Sequence, residues 1–164
     1  MRFAYADPPY IGQAQKHYGC EEIPSLDIYK RLWEYDGWAW SCSSPTLFQV
    51  MQAIPFDVRP KTRLGAWVKP FASFKANVNP GYAWEPVVFW GGRRLGRDIP
   101  TVVDWVSANI TLETGTHGAK PESFCFWIFQ MLGMQLGDEF DDLFVGSGAV
   151  TNAWQRWCSQ MVLL

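Results

Sequence analysis

The residues best equipped for chemistry are Asp7-Pro8-Pro9-Tyr10, directly behind the apolar run Phe3-Ala4-Tyr5-Ala6. Two consecutive prolines fix φ near −65° and remove two backbone donors, so the carbonyls beside them point outward without a ladder partner. A carboxylate and a stiff carbonyl can then both accept hydrogen bonds from one NH₂ group, and the tyrosine ring offers a stacking face. That geometry suits an amine held for attack on a methyl donor. The same four residues alone also read as a strand followed by a Pro-Pro turn. A second motif downstream decides between the two.

That motif is Phe140-Asp141-Asp142-Leu143-Phe144-Val145-Gly146-Ser147-Gly148-Ala149-Val150, a short strand entering a Gly-Ser-Gly turn with a helical stretch over 149–157 after it. Glycines at a strand-to-helix turn permit positive φ and let the backbone approach a ligand closely. Alone the motif is weak, because many α/β loops need glycines there. Between the two lies His117-Gly118-Ala119-Lys120-Pro121-Glu122-Ser123-Phe124, which opens an apolar, helix-like run to Leu132. All three in this order are hard to obtain by chance.

In this order the three pieces resemble the permuted (β-type) S-adenosylmethionine (SAM)-dependent amino-methyltransferases, which methylate adenine N6 or cytosine N4 in nucleic acid. The chain is also similar to relatives that include the mRNA adenosine methyltransferases and small phage or bacterial adenine methyltransferases. That likeness rests on residues 64–69 with Trp67 and Lys69, on Glu85 through Gly92-Arg93, and on Trp154-Gln155-Arg156-Trp157. It spans about residues 3–160. The resemblance implies SAM as cofactor and Asp7, Pro8, Pro9 and Tyr10 as catalytic residues. It implies a cofactor site made by Lys120, Pro121, Asp142, Phe144, Gly146, Ser147 and Gly148. Leu143 and Val145 depart from the proline and alanine usual in the family. The family commonly carries a ribose-binding acid after a further strand, expected here over 161–164; none follows, so Asn152 or Gln160 is expected to serve.

The implied mechanism puts both motifs at the carboxyl ends of adjacent central strands, where open α/β sheets bind ligands. Asp7 and the Pro8 carbonyl orient the amine, and Tyr10 stacks on the base. An exocyclic amine is a poor nucleophile because its lone pair is delocalised; hydrogen bonds to both protons favour a tetrahedral nitrogen. A sulfonium brings its own activation, so no metal is expected. The base must be flipped out of a duplex or presented single-stranded. By the resemblance, Asp-Pro-Pro-Tyr leans toward adenine over cytosine, and DNA is the expected polymer. The alternatives are cytosine N4, RNA adenosine, a decayed binding protein of the same fold, and a small-molecule or protein methyltransferase. His17 and His117 receive no role. Specificity is expected to be short or relaxed, or supplied by a homodimer or a second subunit.

Composition sets the frame. With 164 residues, 48% hydrophobic and 18% charged, the chain reads as one globular domain. Of its 10 tryptophans, most are expected in the core and a minority as a stacking wall. No run reaches the ~20 apolar residues of a membrane span, and no signal-peptide pattern is present. Cys20, Cys42, Cys125 and Cys158 form no Cys-x-x-Cys pair, which argues against zinc and disulfides and for a reducing cytoplasm; the resemblance implies that of a bacterium or phage-infected cell. Net charge is −2, yet eight of 14 basic residues fall between 59 and 97 with one acid, Glu85. Lys61, Arg63, Lys69, Lys75, Arg93, Arg94 and Arg97, with Phe71 and Phe74 nearby, are the expected nucleic-acid face; a merely solvated face is the alternative.

The pattern predicts a Rossmann-like, doubly wound, mostly parallel α/β sheet with an antiparallel edge. One domain, 1–164, divides into a catalytic part (1–60), edge strands and nucleic-acid loops (61–116) and a cofactor part (117–164). Strands are expected over 2–6, 38–42, 64–68, 86–90 and 140–143. Ser25 or Asp27 should cap a helix to 35. Further helices are expected over 46–53, 100–107 and 122–132. The loop to 24, with Gly12, His17, Tyr18 and Gly19, should cap the substrate pocket, and 72–83 should form a mobile loop.

Overall fold

Two strands without a polar face set the middle of the sheet. In β1 (Arg2–Ala6) every residue after Arg2 is buried, and in β2 (Gly37–Ser41) all five are. Such runs arise where helices cover both faces. The structure, a computed structural model, describes residues 1–12, 14–15, 19, 21–70, 78–110 and 119–162. His17, Tyr18, Cys20, Phe71, Phe74, Lys75, His117 and Gly118 lie outside them.

Alternation along β1 sends Phe3 and Tyr5 to one face and Ala4 and Ala6 to the other. The first face packs with Trp67, Phe89 and the helices α3 (Glu122–Leu132) and α4 (Ala149–Val162), through Phe124, Trp127, Phe129 and Ala153. The second packs with Trp38, Trp40, Val88 and the helices α1 (Ser25–Leu32) and α2 (Leu47–Ala53), through Ile28, Leu32 and Val50. Phe3, Leu32, Phe124 and Phe129 are each fully buried; each such side chain stabilises the fold by about 1.5–3 kcal/mol. Glycine is required at Gly37, where a Cβ would meet the Gly92 nitrogen at 2.5 Å.

The remaining strands are β3 (Arg63–Val68), β4 (Trp84–Gly91), β5 (Trp105–Ser107) and β6 (Glu139–Asp142), in the order β5-β3-β4-β2-β1-β6. β1 pairs in parallel with both β2 and β6, and β3 with β5; β4 runs antiparallel to β2 and β3. The carboxyl ends of β1, β2, β3 and β6 and the amino end of β4 therefore meet at one edge. Among the described residues, no helix is long and apolar enough to cross a membrane.

Several expectations are corrected. The helix over 100–107 is replaced by β5, whose Trp105-Val106-Ser107 finds an open partner in Ala66-Trp67-Val68; aromatic and β-branched residues suit that pairing. At Met161 and Val162, where a further strand is expected to begin, the chain is instead the end of α4, which no Gly or Pro interrupts after Gly148; 163–164 lie outside the described residues. β3 and β4 are antiparallel as expected but are not the sheet edge, since β5 covers β3. β6 is adjacent to β1 yet is an edge strand rather than a central one. α1 stops at Leu32, four residues after which Asp36 accepts from the Arg2 amide, and neither Ser25 nor Asp27 caps it.

Candidate functional site

Asp7 leaves the end of β1 and turns into a chain of alternating charge. Lys120 Nζ lies 2.8 Å from Asp7 Oδ2 and 3.8 Å from Glu85 Oε2, and Lys69 pairs with Glu85 Oε1. The Lys120 side chain is 7% exposed, and those of Glu85 and Lys69 are 17% and 18% exposed, so the chain Asp7–Lys120–Glu85–Lys69 is largely shielded from water. Trp67 lies beneath it: its ring centroid is 4.5 Å from Lys69 Nζ and 5.2 Å from Lys120 Nζ. Tyr10 lies beside Glu85. Tyr5 and Ser41 share a buried 2.7 Å hydrogen bond behind Asp7.

The register explains the cluster. Glu85 faces Trp67 across the β3–β4 ladder, and Lys69 follows Trp67 by two residues, so all three project from one face. Lys120 enters from the segment just before α3, opposite that face.

Electrostatics follow from burial and pairing. Burial raises the Asp7 carboxyl above its usual value, although Lys120 pulls it down. Glu85 is also penalised by burial, but Lys120 and Lys69 outweigh this and hold it below its ordinary value. For Lys120, burial disfavours the ammonium, and Asp7 with Glu85 more than compensates. Burial, then Asp7 and Glu85, push the Tyr10 hydroxyl well up, so it stays a donor. Burial moves the Cys42 and Cys125 thiols up to about 12, which leaves both unreactive.

A cavity of about 310 Å³ opens beside Asp7. Tyr5, Asp7, Pro8, Pro9 and Lys120 form one side, Phe144, Val145, Gly146, Ser147 and Val150 another, and Glu21 and Ile23 part of the rim. Gly146 has φ of 50°, and a Cβ there would find only the Phe144 carbonyl oxygen, at 3.7 Å; its hydrogen leaves space on the cavity side. Asp142 accepts from the Phe144 amide and the Thr151 hydroxyl, both at 3.3 Å, and so braces the turn. The volume and mixed lining suit a small ligand with a charged end. A ligand such as SAM would fit: Lys120 for the carboxylate of its zwitterionic end, Phe144 and the glycine turn for its body.

The structure thus gathers Asp7, Pro8, Pro9, Lys120, Phe144, Gly146 and Ser147 around one cavity, with Tyr10 beside Glu85 on the flank. Pro121, Asp142, Gly148, Asn152 and Gln160 are not in its wall. Two expected phosphate contacts are engaged elsewhere. Arg93 bonds Asp138 at 2.8 and 2.9 Å and the Gly133 carbonyl at 2.6 Å, which ties the turn after β4 to the end of α3. Lys69 belongs to the inner charge chain. Glu85 and Trp67 are the residues whose roles sequence reasoning missed. One acid in a basic interval was the available signal for Glu85.

No family model matches the chain, and no curated protein matches it. Among solved structures, that of the M1.HpyAVI–SAM complex is similar, with a TM-score of 0.65 at 15% sequence identity over 94% of this chain and 78% of that one. The likeness is one of fold, and the fold is the Rossmann-like, doubly wound α/β sheet with helices on both faces.

Proposed function

We propose that the protein transfers a methyl group from SAM to the N6 amino group of adenine in DNA, with the base flipped out or single-stranded. One observation carries this reading: the Asp7-Pro8-Pro9-Tyr10 turn opens into the same cavity as the Phe144–Ser147 turn. It is supported by a solved SAM complex of the same fold. Lys120, Phe144, Gly146 and Ser147 would hold the cofactor, which when bound supplies an electrophilic methyl group.

The chain's own residues do the rest. The amine donates one N–H hydrogen bond to Asp7 and the other to the Pro8 carbonyl, which turns the nitrogen lone pair toward the cavity; after methyl transfer the nitrogen gives up one proton. Lys120 opposes the rise that burial gives the Asp7 carboxyl and so favours its charged form. Glu85, held by both lysines, stands beside Tyr10 and so helps place the ring that stacks on the base. Tyr5 and Ser41 brace the end of β1, so the turn starts from a rigid strand. Pro8, Pro9 and Phe144 exclude water from the reacting side.

The test uses purified protein, methyl-labelled SAM and oligonucleotides whose only amino base is adenine or cytosine, as DNA and as RNA. Label should enter adenine in DNA. Label confined to cytosine or RNA would move the substrate to one of those alternatives. No label in any polymer, from protein that binds SAM, would overturn the reading.

A further inference from the structure

The sheet face served by α1 and α2 is left open beyond β4. Pairing sets Trp84 opposite Val68, and Trp105 and Pro86 on either side of Ala66. Alternation therefore puts Trp84, Val68, Ala66 and Trp105 on one face. Trp84 is 39% exposed and Trp105 52% exposed, with only the small side chains of β3 between them. Most tryptophans here fill the cores; these two do not.

Their position relates them to the site. Glu85 follows Trp84 and turns to the opposite face, into the Asp7–Lys120 charge chain. Trp84 thus stands at the sheet edge where β1 delivers Asp7, with Tyr82, 56% exposed, just outside it. Trp105 lies one strand beyond β3 and two residues further from that edge, roughly 12 Å away by strand spacing. Toward the other end of these strands come Lys61, just before β3, and Arg94 and Arg97, after β4, all three exposed; Arg63 alternates with Trp67 onto the opposite face. Lys61, Arg94 and Arg97 are in no ion pair among the described residues. Asp98 and Asp104 are the acids of the same stretch. Spaced aromatic rings beside free cations are what an unpaired nucleic-acid strand needs, since every base has a π face and every linkage a phosphate.

We propose that Trp84 and Trp105 form a stacking platform for unpaired nucleotides flanking the target base, with the strand's phosphates directed toward Lys61, Arg94 and Arg97. The proposal rests on the nucleic-acid reading of the adjoining site and adds a preference for single strands over duplex.

Fluorescence anisotropy with a short labelled single-stranded DNA tests it. Trp84→Ala and Trp105→Ala should each weaken binding about 5- to 150-fold, the fold-change equivalent of one lost base stack. Trp84→Phe and Trp105→Phe should retain most of the affinity. The salt slope should stay at the wild-type value in all four, because no phosphate contact is lost. SAM affinity measured alongside reports folding, and the half-exposed positions tolerate truncation. Wild-type protein that binds DNA with alanine variants that bind equally well would sink the platform alone. So would variants that lose only self-association, since the face would then join two copies of the chain. Wild-type protein that binds no strand would remove both the platform and the polymer substrate.

Discussion

Replacing Glu85 by Gln keeps the shape of the charge chain and removes its second anion, leaving Lys69 and Lys120 to share Asp7. Glu85 Oε2 and Lys120 Nζ are 3.8 Å apart; at an effective dielectric of about 20, one unit pair at that distance is worth roughly 4 kcal/mol. Lys69 adds a second attraction at the other oxygen, 18% exposed and so partly screened. Against this, a glutamine oxygen can still accept from Lys69, which can also swing toward water. The net loss should be about 2–4 kcal/mol, within the range for removing one partner of a buried pair. Urea unfolding at neutral pH measures it, and the melting temperature should fall by roughly 5–15 °C. Because Glu85 is held below its ordinary value of 4.5, its contribution is fully present above that pH and is lost as pH falls through the folded value. Wild type and variant should therefore converge in stability in acid. A double-mutant cycle with Lys69→Met should show coupling of about 1–3 kcal/mol. A Glu85→Gln loss below about 0.5 kcal/mol, or no convergence in acid, would refute the charge-chain argument.

Tyr10→Ala should weaken oligonucleotide binding by about 1–3 kcal/mol through the lost stack, whereas Tyr10→Phe keeps the ring and should be much milder in turnover assays. Gly146→Val should abolish calorimetric SAM binding, since a branched side chain would fill the cavity side of the turn and φ of 50° already disfavours it; unchanged binding would mean the wrong pocket. Neutralising Arg94 and Arg97 together should flatten the log–log salt dependence of DNA binding by about 0.7 to 0.9 per lost phosphate contact, with SAM affinity unchanged.

The parts of the site that follow one another in the chain are legible in the sequence itself. Asp7-Pro8-Pro9-Tyr10 and Phe144–Ser147 each carry their geometry locally, in proline φ and glycine freedom, and β1 beside β6 brings them together. The charge chain is not legible there, because it depends on register: Glu85 meets Lys69 only through the Trp67–Glu85 pairing, 18 residues apart in sequence. Local pattern also fails where tertiary partners decide the outcome. Trp105-Val106-Ser107 is a strand because Ala66–Val68 offers it an open edge. Arg93 looks like a phosphate contact by its neighbours in sequence and is instead claimed by Asp138, 45 residues on. The pattern of charges does not distinguish a free cation from a paired one.

Nucleoside mass spectrometry of DNA and RNA from cells expressing the chain tests the central claim most directly, with Asp7→Ala as the paired control. N6-methyladenine in DNA should rise above background with wild type and fall to background with Asp7→Ala, while purified Asp7→Ala binds SAM within a few fold of wild type. Equal N6-methyladenine in DNA from the Asp7→Ala strain would contradict that claim, because the carboxylate at the end of β1 would then play no part in holding the amine.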